Sequence, residues 1–216
     1  MSNDKSNKKL SESDELGLVV HSYNNHLAAM MGYIELLLMQ QESGASKEYL
    51  NHALDSGNES VHFGKTILAS ISRLQVSMED HSFIKLIQPL IQNDYLSISL
   101  IDLDDKLQIK TNSEWFNECL NDLIDFILVL DNNQKALLKI SKDDNNQKLR
   151  MVIKTSSVMK SEIDQESLFL PFYSSRCLLG TKDIGLAKAK GFFKQMDSNL
   201  SWEKKQGFCL EIPISN

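Results

Sequence analysis

Two neighbouring stretches with helical spacing of apolar residues constrain the fold of this chain more than any other feature. In the first, apolar positions step alternately by four and three residues, the spacing with which one helix packs along another. The second has the same spacing and contains two glycines, which either loosen the packing or admit a close neighbour. The positions are Leu16, Val20, Tyr23, Leu27, Met30, Ile34 and Leu37, then Leu50, Leu54, Gly57, Val61, Gly64, Leu68, Ile71 and Leu74. The sequence therefore predicts a hairpin of two long helices joined by a short turn at residues 44–46.

The apolar surface of such a hairpin is too wide to remain exposed on a monomer. Two copies related by a twofold axis would bury this surface in a four-helix bundle. We therefore expect a homodimer that is held together by the hairpin. The polar residues 1–11 carry no aromatic side chain and are expected to form a disordered tail before the first helix.

Beyond about residue 80 the apolar spacing changes from helical to that of strands. The segment HSFIKLIQPLIQN still has helical spacing, and further helices are expected at about 113–130 and 184–197. Six short segments predict strands: YLSISL, KLQIK, ALLKIS, KLRMVIK, NLSWE and FCLEIPI. The expected fold class is α+β, with the helical hairpin over residues 12–78 and an α/β sandwich over residues 79–216. Its mostly antiparallel sheet would be covered on one face by helices.

Length and composition exclude several classes of protein. With 216 residues, 42% of them apolar, the chain can bury a core. Its 23 lysines and arginines against 29 acidic residues give a net charge of −6, which argues against a nucleic-acid partner. The three cysteines form no CxxC pair, which suits a reducing compartment. No apolar run approaches the roughly 20 residues that cross a bilayer, so we expect a cytoplasmic protein without a membrane partner.

Residues 21–38 read HSYNNHLAAMMGYIELLL, which resembles the H-box of sensor histidine kinases, HDFNNLLxxIxGYxELL in one large subgroup. The resemblance implies that His21 is the phosphoacceptor, whose imidazole nitrogen forms a covalent phosphoramidate. It also implies that Asn25, one helical turn further on, helps to orient a water molecule for dephosphorylation of a partner receiver domain. The hairpin would accordingly be a dimerisation and phosphoacceptor domain.

The resemblance is incomplete immediately after the histidine, where the family has an acidic residue and this chain has Ser22. That carboxylate orients the imidazole and accepts its proton, so its loss should impair autophosphorylation more than transfer from an acyl phosphate. Counting across the turn sets Leu68 opposite His21, with Lys65 and Arg73 within a turn or two. These cations either stabilise a transferred phosphate or are solvated surface charges.

The second domain resembles the ATPase domain of the same kinases, of the Bergerat type. Its segment LFLPFYSSR, residues 168–176, is similar to the family's iFePFyTTK, and the order of elements that follows is also similar. The positions that bind adenine, phosphates and Mg²⁺ in the family are changed, however, and only one glycine of the second glycine box remains. They are Thr155, Ser157 and Met159 in the first glycine box, Asp183 and Gly185 in the second, and Asp122 in the N-box, where a one-residue shift would offer Asn121 instead at a cost to the apolar match. The resemblance thus implies a degenerate ATPase domain that does not bind ATP.

Together these resemblances imply a histidine phosphotransferase of a two-component phosphorelay, which moves a phosphoryl group between receiver-domain aspartates through His21. Its partners would be response-regulator receiver domains, with a hybrid histidine kinase as a further candidate. The receiver would hold Mg²⁺, and this chain would bind no cofactor or metal. Two alternatives remain open: a pseudokinase-type protein that binds, sequesters or dephosphorylates a response regulator, and an active histidine kinase with unusual nucleotide contacts.

Overall fold

The computed structural model describes residues 12–40, 45–92, 94–101, 103–130, 135–143, 147–155, 167–170, 184–204 and 206–215. Its α-helices are α1 (Glu12–Gln40), α2 (Ala45–Ser70), α3 (Phe83–Ile91), α4 (Ser113–Leu130) and α5 (Gly185–Gln195). Its strands are β1 (Glu79–Ser82), β2 (Leu96–Ile101), β3 (Gln108–Thr111), β4 (Ala136–Lys142), β5 (Lys148–Thr155), β6 (Asn199–Glu203) and β7 (Gly207–Pro213). A short 3₁₀ helix spans Ser167–Phe169. No helix in these ranges is long and apolar enough to cross a membrane.

Helices α1 and α2 form the predicted antiparallel hairpin. The two glycines of α2 admit close neighbours from α1, because a β-carbon at Gly57 would lie 2.6 Å from Met31 Cγ and one at Gly64 would collide with the Asn24 amide. Gly57 and Gly64 are seven residues apart, as are Met31 and Asn24, so the same contact repeats after two helical turns.

The apolar seam predicted for α1 divides between two faces of the helix. Val20 is buried, whereas Leu16, Tyr23, Met30 and Leu37 are exposed in the single chain. A helix of a bundle can face two different neighbours, and apolar spacing alone does not tell which positions face which neighbour. The exposed part of the seam is therefore an uncovered apolar face of the hairpin.

The second part of the chain contains a mixed five-stranded sheet with the strand order β2-β4-β5-β7-β6. Strands β2 and β4 are parallel, and the other neighbours are antiparallel, as the mostly antiparallel prediction requires. Alternate side chains of β4 and β5 are buried under helices, among them Leu138, Ile140, Met151 and Ile153. The predicted α/β sandwich is thereby present.

A separate two-stranded sheet differs from the prediction. Strand β3 pairs with β1 rather than joining the main sheet, and β1 covers residues at the start of a segment expected to be helical. The sequence of β1, EDHS, has no apolar alternation, so its pairing depends on backbone hydrogen bonds to a distant partner rather than on local pattern.

The end of α2 packs directly on the sandwich through α5. A β-carbon at Gly191 would collide with the carbonyl oxygen of Ala69, and Ala69 and Leu74 belong to the same buried cluster as the sandwich core. The Gln195 Nε2 atom donates a hydrogen bond of 2.9 Å to the Leu74 carbonyl oxygen. These contacts fix the position of the hairpin against α5.

Candidate functional site

His21 lies on α1 with a half-buried side chain. Two contacts of α1 with the end of the hairpin bracket it: Gly17 lies beside Ile71, and Asn24 lies against Gly64. Interpolation between these contacts sets His21 level with Ile67, one residue from the Leu68 that the count across the turn predicts. The imidazole therefore sits at a fixed height on the hairpin and remains partly accessible to another protein.

The two asparagines after His21 have different surroundings. Asn25 is exposed on α1, where it could reach a docked partner, and its role stays a prediction. Asn24 packs its amide against Gly64 in the hairpin interior. The sequence analysis did not single out Asn24, although its seven-residue spacing from Met31 matches the spacing of the two glycines of α2.

Lys65 and Arg73 are exposed on either side of the level of His21. Lys65 follows Gly64, which contacts Asn24, and the Arg73 Cγ atom is 4.0 Å from a β-carbon placed on Gly17. Each cation thus lies within about one helical turn of His21 along the hairpin. Their predicted contribution to phosphate binding stays a prediction.

A second group of charged side chains lies where α4 meets α5. The Lys188 Nζ atom is 2.6 Å from Asp122 Oδ2 and 2.6 Å from Glu118 Oε1. The Lys188 side chain is only 4% exposed. Burial lowers the pKa of Lys188, but the nearby carboxylates of Asp122 and Glu118 outweigh it, so this pKa lies above its ordinary value. Lys188 is therefore a buried ammonium, charged at neutral pH, between two carboxylates.

Helix α2 joins this group through His62. The His62 Nε2 atom lies 3.1 Å from Glu118 Oε1, and the His62 ring stacks on Trp115 with 5.5 Å between ring centroids. Lys188 Nζ lies 5.8 Å from the centroid of the same Trp115 ring. A cleft of about 810 Å³ opens beside these groups, lined by α2, α4 and the start of α5. The hairpin and the sandwich thus share one polar cluster.

Among the described residues at the predicted nucleotide positions, Asp122 and Gly185 lie against each other. A β-carbon at Gly185 would lie 2.9 Å from Asp122 Cγ, so the first residue of α5 abuts the predicted N-box position, and both residues line the cleft. The acidic group that would hold Mg²⁺ is already paired with Lys188. Thr155 is buried at the end of β5. Ser157, Met159 and Asp183 lie outside the described residues.

Sequence reasoning found Asp122 and Gly185 but missed Glu118, Lys188 and His62. One signal was present in α4, where Glu118 and Asp122 are four residues apart and border the buried face of the helix. Another was the position of Lys188 between two alanines, Ala187 and Ala189, both of which are buried. A lysine on the apolar face of a helix needs an acidic partner.

The cluster should make stability depend on pH at the acidic side. Burial raises the pKa of Glu118, but Lys188 and His62 together lower it below its ordinary value. The contribution of Glu118 is therefore present above its unfolded pKa and is lost as pH falls through the folded value. We expect Glu118→Gln to flatten the loss of stability between neutral pH and about pH 3, measured by urea unfolding. Equal acid sensitivity of wild type and variant would contradict this.

The fold is that of histidine kinase cores. Full-length ShkA, solved in complex with AMPPNP, matches 94% of this chain and 46% of its own length, at 16% identity and a TM-score of 0.61. The Acinetobacter baumannii histidine kinase AdeS matches 88% of this chain and 96% of its own, at 16% identity and a TM-score of 0.48. The nucleotide-free catalytic domain of histidine kinase ThkA matches 64% and 98%, at 16% identity and a TM-score of 0.48.

The similarity to ShkA confirms the predicted fold resemblance, including the histidine-kinase-like ATPase domain. This chain spans less than half of the length of ShkA, because the match covers 46% of that protein. No protein-family model matches the sequence, and neither does any curated protein.

Proposed function

We propose that this protein is a histidine phosphotransferase of a two-component phosphorelay, which carries a phosphoryl group between receiver-domain aspartates on His21 without binding ATP. The observation that supports the proposal is the pairing at the predicted N-box position: Asp122 forms an ion pair with Lys188 and lies against Gly185. A chain that carries a phosphoacceptor motif and binds no nucleotide would obtain its phosphoryl group from another protein.

The proposed transfer needs little from this chain besides a well-placed nucleophile. An imidazole nitrogen of His21 attacks the phosphorus of an aspartyl phosphate and forms an N–P bond, while the P–O bond breaks and the aspartate leaves as a carboxylate. The receiver's Mg²⁺ would bind the phosphoryl oxygens, with Lys65 and Arg73 as additional cations near the acceptor. Because the donor is already activated, an acidic residue at the position of Ser22 is not required.

The test is transfer from a labelled receiver. A receiver carrying ³²P on its aspartate and freed of ATP should transfer acid-labile, alkali-stable label to this protein in the presence of Mg²⁺. A parallel sample with labelled ATP and no receiver should remain unlabelled, and ATP should not raise the melting temperature. Labelling by ATP alone would overturn the proposal in favour of an active kinase. If receivers bind but pass no label, the receiver-binding or dephosphorylating alternative takes its place, with Asn25 as the residue to test.

The proposed homodimer would cover the exposed apolar side of α1. Leu37 is 49% exposed in the single chain and belongs to the seam predicted for helix packing. Leu37→Glu would cost little in a monomer, but a twofold dimer would bury two unpaired carboxylates. We therefore expect the dimer dissociation constant to rise by at least about tenfold, measured by sedimentation equilibrium.

Tyr95→Glu is the matched control for the dimer, because Tyr95 is 58% exposed and lies on the sandwich just before β2. This substitution also places a charge on an exposed apolar site, but it should leave the association constant unchanged. A wild-type protein that stays monomeric at high concentration would refute the dimer, and the relay chemistry at His21 would have to proceed on a single hairpin.

A further inference from the structure

At the crossing of α4 and α5, two neighbouring carboxylates require a positive charge. Glu118 and Asp122 lie four residues apart on α4, and both point toward Lys188 of α5. The Asp122 side chain is only 10% exposed. Two carboxylates held this close to each other in a poorly hydrated site repel strongly unless a positive charge lies between them. In an ATPase domain that binds nucleotide, the position of Asp122 faces a divalent cation.

The ammonium group of Lys188 supplies this positive charge. An ammonium is a compact point charge, and it contacts both carboxylates at the distance of a strong charged hydrogen bond, 2.6 Å each. A divalent cation such as Mg²⁺ is typically bound by one or two carboxylates. The Lys188 ammonium contacts two carboxylates that could otherwise bind such a cation. The Trp115 ring lies 5.8 Å from the ammonium and shields it from water.

Groups of the chain itself surround the two carboxylates. Gly185 abuts Asp122 from the start of α5, and the His62 ring approaches Glu118 from α2. The ammonium is tethered to α5, and α5 itself is held by the contact of Gly191 with Ala69. The backbone of Lys188 is therefore held beside α4 at the junction between hairpin and sandwich.

We propose that Lys188 is a resident counter-ion that takes the place of the divalent cation at the crossing of α4 and α5. The sandwich then keeps its fold without Mg²⁺ or nucleotide. The same cluster, through Glu118 and His62, joins the sandwich to α2. This inference concerns the charge balance of α4 and α5, so it holds for a phosphotransferase and for a receiver-binding protein alike.

Removal of the lysine should convert the site into a binding site for a divalent cation. We expect Lys188→Ala to lower the melting temperature by about 10 °C, because the largely buried Asp122 carboxylate and the neighbouring Glu118 carboxylate lose the ammonium between them. Millimolar Mn²⁺ should restore part of this loss in the variant and leave the wild type unchanged. Lys188→Ala combined with Asp122→Asn should no longer respond to Mn²⁺. Lys190→Ala, two residues further along α5, is the control that removes a lysine without creating a cation site.

Either of two kinds of result would overturn the inference. One is a rise in the wild-type melting temperature with Mn²⁺ equal to that of the variant, or Mn²⁺-dependent broadening of the wild-type Trp115 indole signal. The other is a Lys188→Ala variant with wild-type stability or without any response to Mn²⁺.

If Lys188→Ala fails to fold even with Mn²⁺, a variant in which the whole cluster is neutralised still tests the inference. The triple variant Glu118→Gln, Asp122→Asn, Lys188→Met removes all three charges at similar volume and should fold without a cation. Failure of the triple variant to fold would also contradict the inference. None of these measurements uses phosphoryl transfer, so their outcome is distinguishable from that of the transfer assay.

Discussion

His21→Ala should reduce phosphoryl transfer from a phosphorylated receiver to this protein by at least about a thousandfold, to the background of the assay. The expected effect is this large because the imidazole nitrogen is the atom that forms the new bond to phosphorus. No neighbouring group can replace it, since Ser22 offers only a weakly nucleophilic hydroxyl. The measurement is the label retained on the protein in single-turnover mixing with excess receiver and no free ATP.

His26→Ala is the matched control for the phosphoacceptor. His26 is also on α1, five residues further along, and its side chain is exposed. The His26→Ala variant should keep the label at the wild-type level. Circular dichroism should show that His21→Ala and His26→Ala both retain their helices. His21 is half-buried, so its truncation should cost at most about 1 kcal/mol of stability. Label that persists in His21→Ala but disappears in His26→Ala would move the acceptor to the second histidine.

The sequence predicts those elements whose signal is local. Helix α4 spans Ser113–Leu130, as predicted from its apolar spacing, because a helix of this length carries several repeats of the pattern. Strands β4 and β5 follow from alternation and a polar loop between them. Strand β1 could not be found in this way, because its four residues are stabilised by pairing with β3, which lies more than twenty residues further along the chain.

The candidate site follows the same division between local and long-range information. The H-box around His21 is one continuous segment, so a motif can reveal it. The charged cluster joins Glu118 on α4 to Lys188 on α5, seventy residues apart, and it adds His62 from the other domain. Only the fold brings these side chains together. The changed residues in the glycine boxes and N-box predict a loss of nucleotide binding, but they do not predict that a lysine pairs with Asp122.

Gly191→Val should destabilise the protein by about 3 kcal/mol, because the new side chain would be forced into the backbone of α2. A β-carbon at Gly191 collides with the Ala69 carbonyl oxygen and would lie 2.8 Å from the carbonyl carbon of Ser70. Backbone atoms in the last turn of a helix cannot rotate away as a flexible side chain can. The lost stability corresponds to a fall in melting temperature of about 6–12 °C for a chain of this size.

Gly32→Val is the control that separates this contact from helix propensity. Gly32 lies on α1, and no atom among the described residues comes within 4 Å of a β-carbon placed there. Valine is favoured over glycine in a helix by a few tenths of a kcal/mol, so this variant should be neutral or slightly more stable. The same substitution should therefore have opposite effects at the two sites. Equal stability of Gly191→Val and wild type would mean that α2 does not rest on α5 in solution. The sandwich would then be free to move relative to His21, and the ion pair of Lys188 would lose its link to the hairpin.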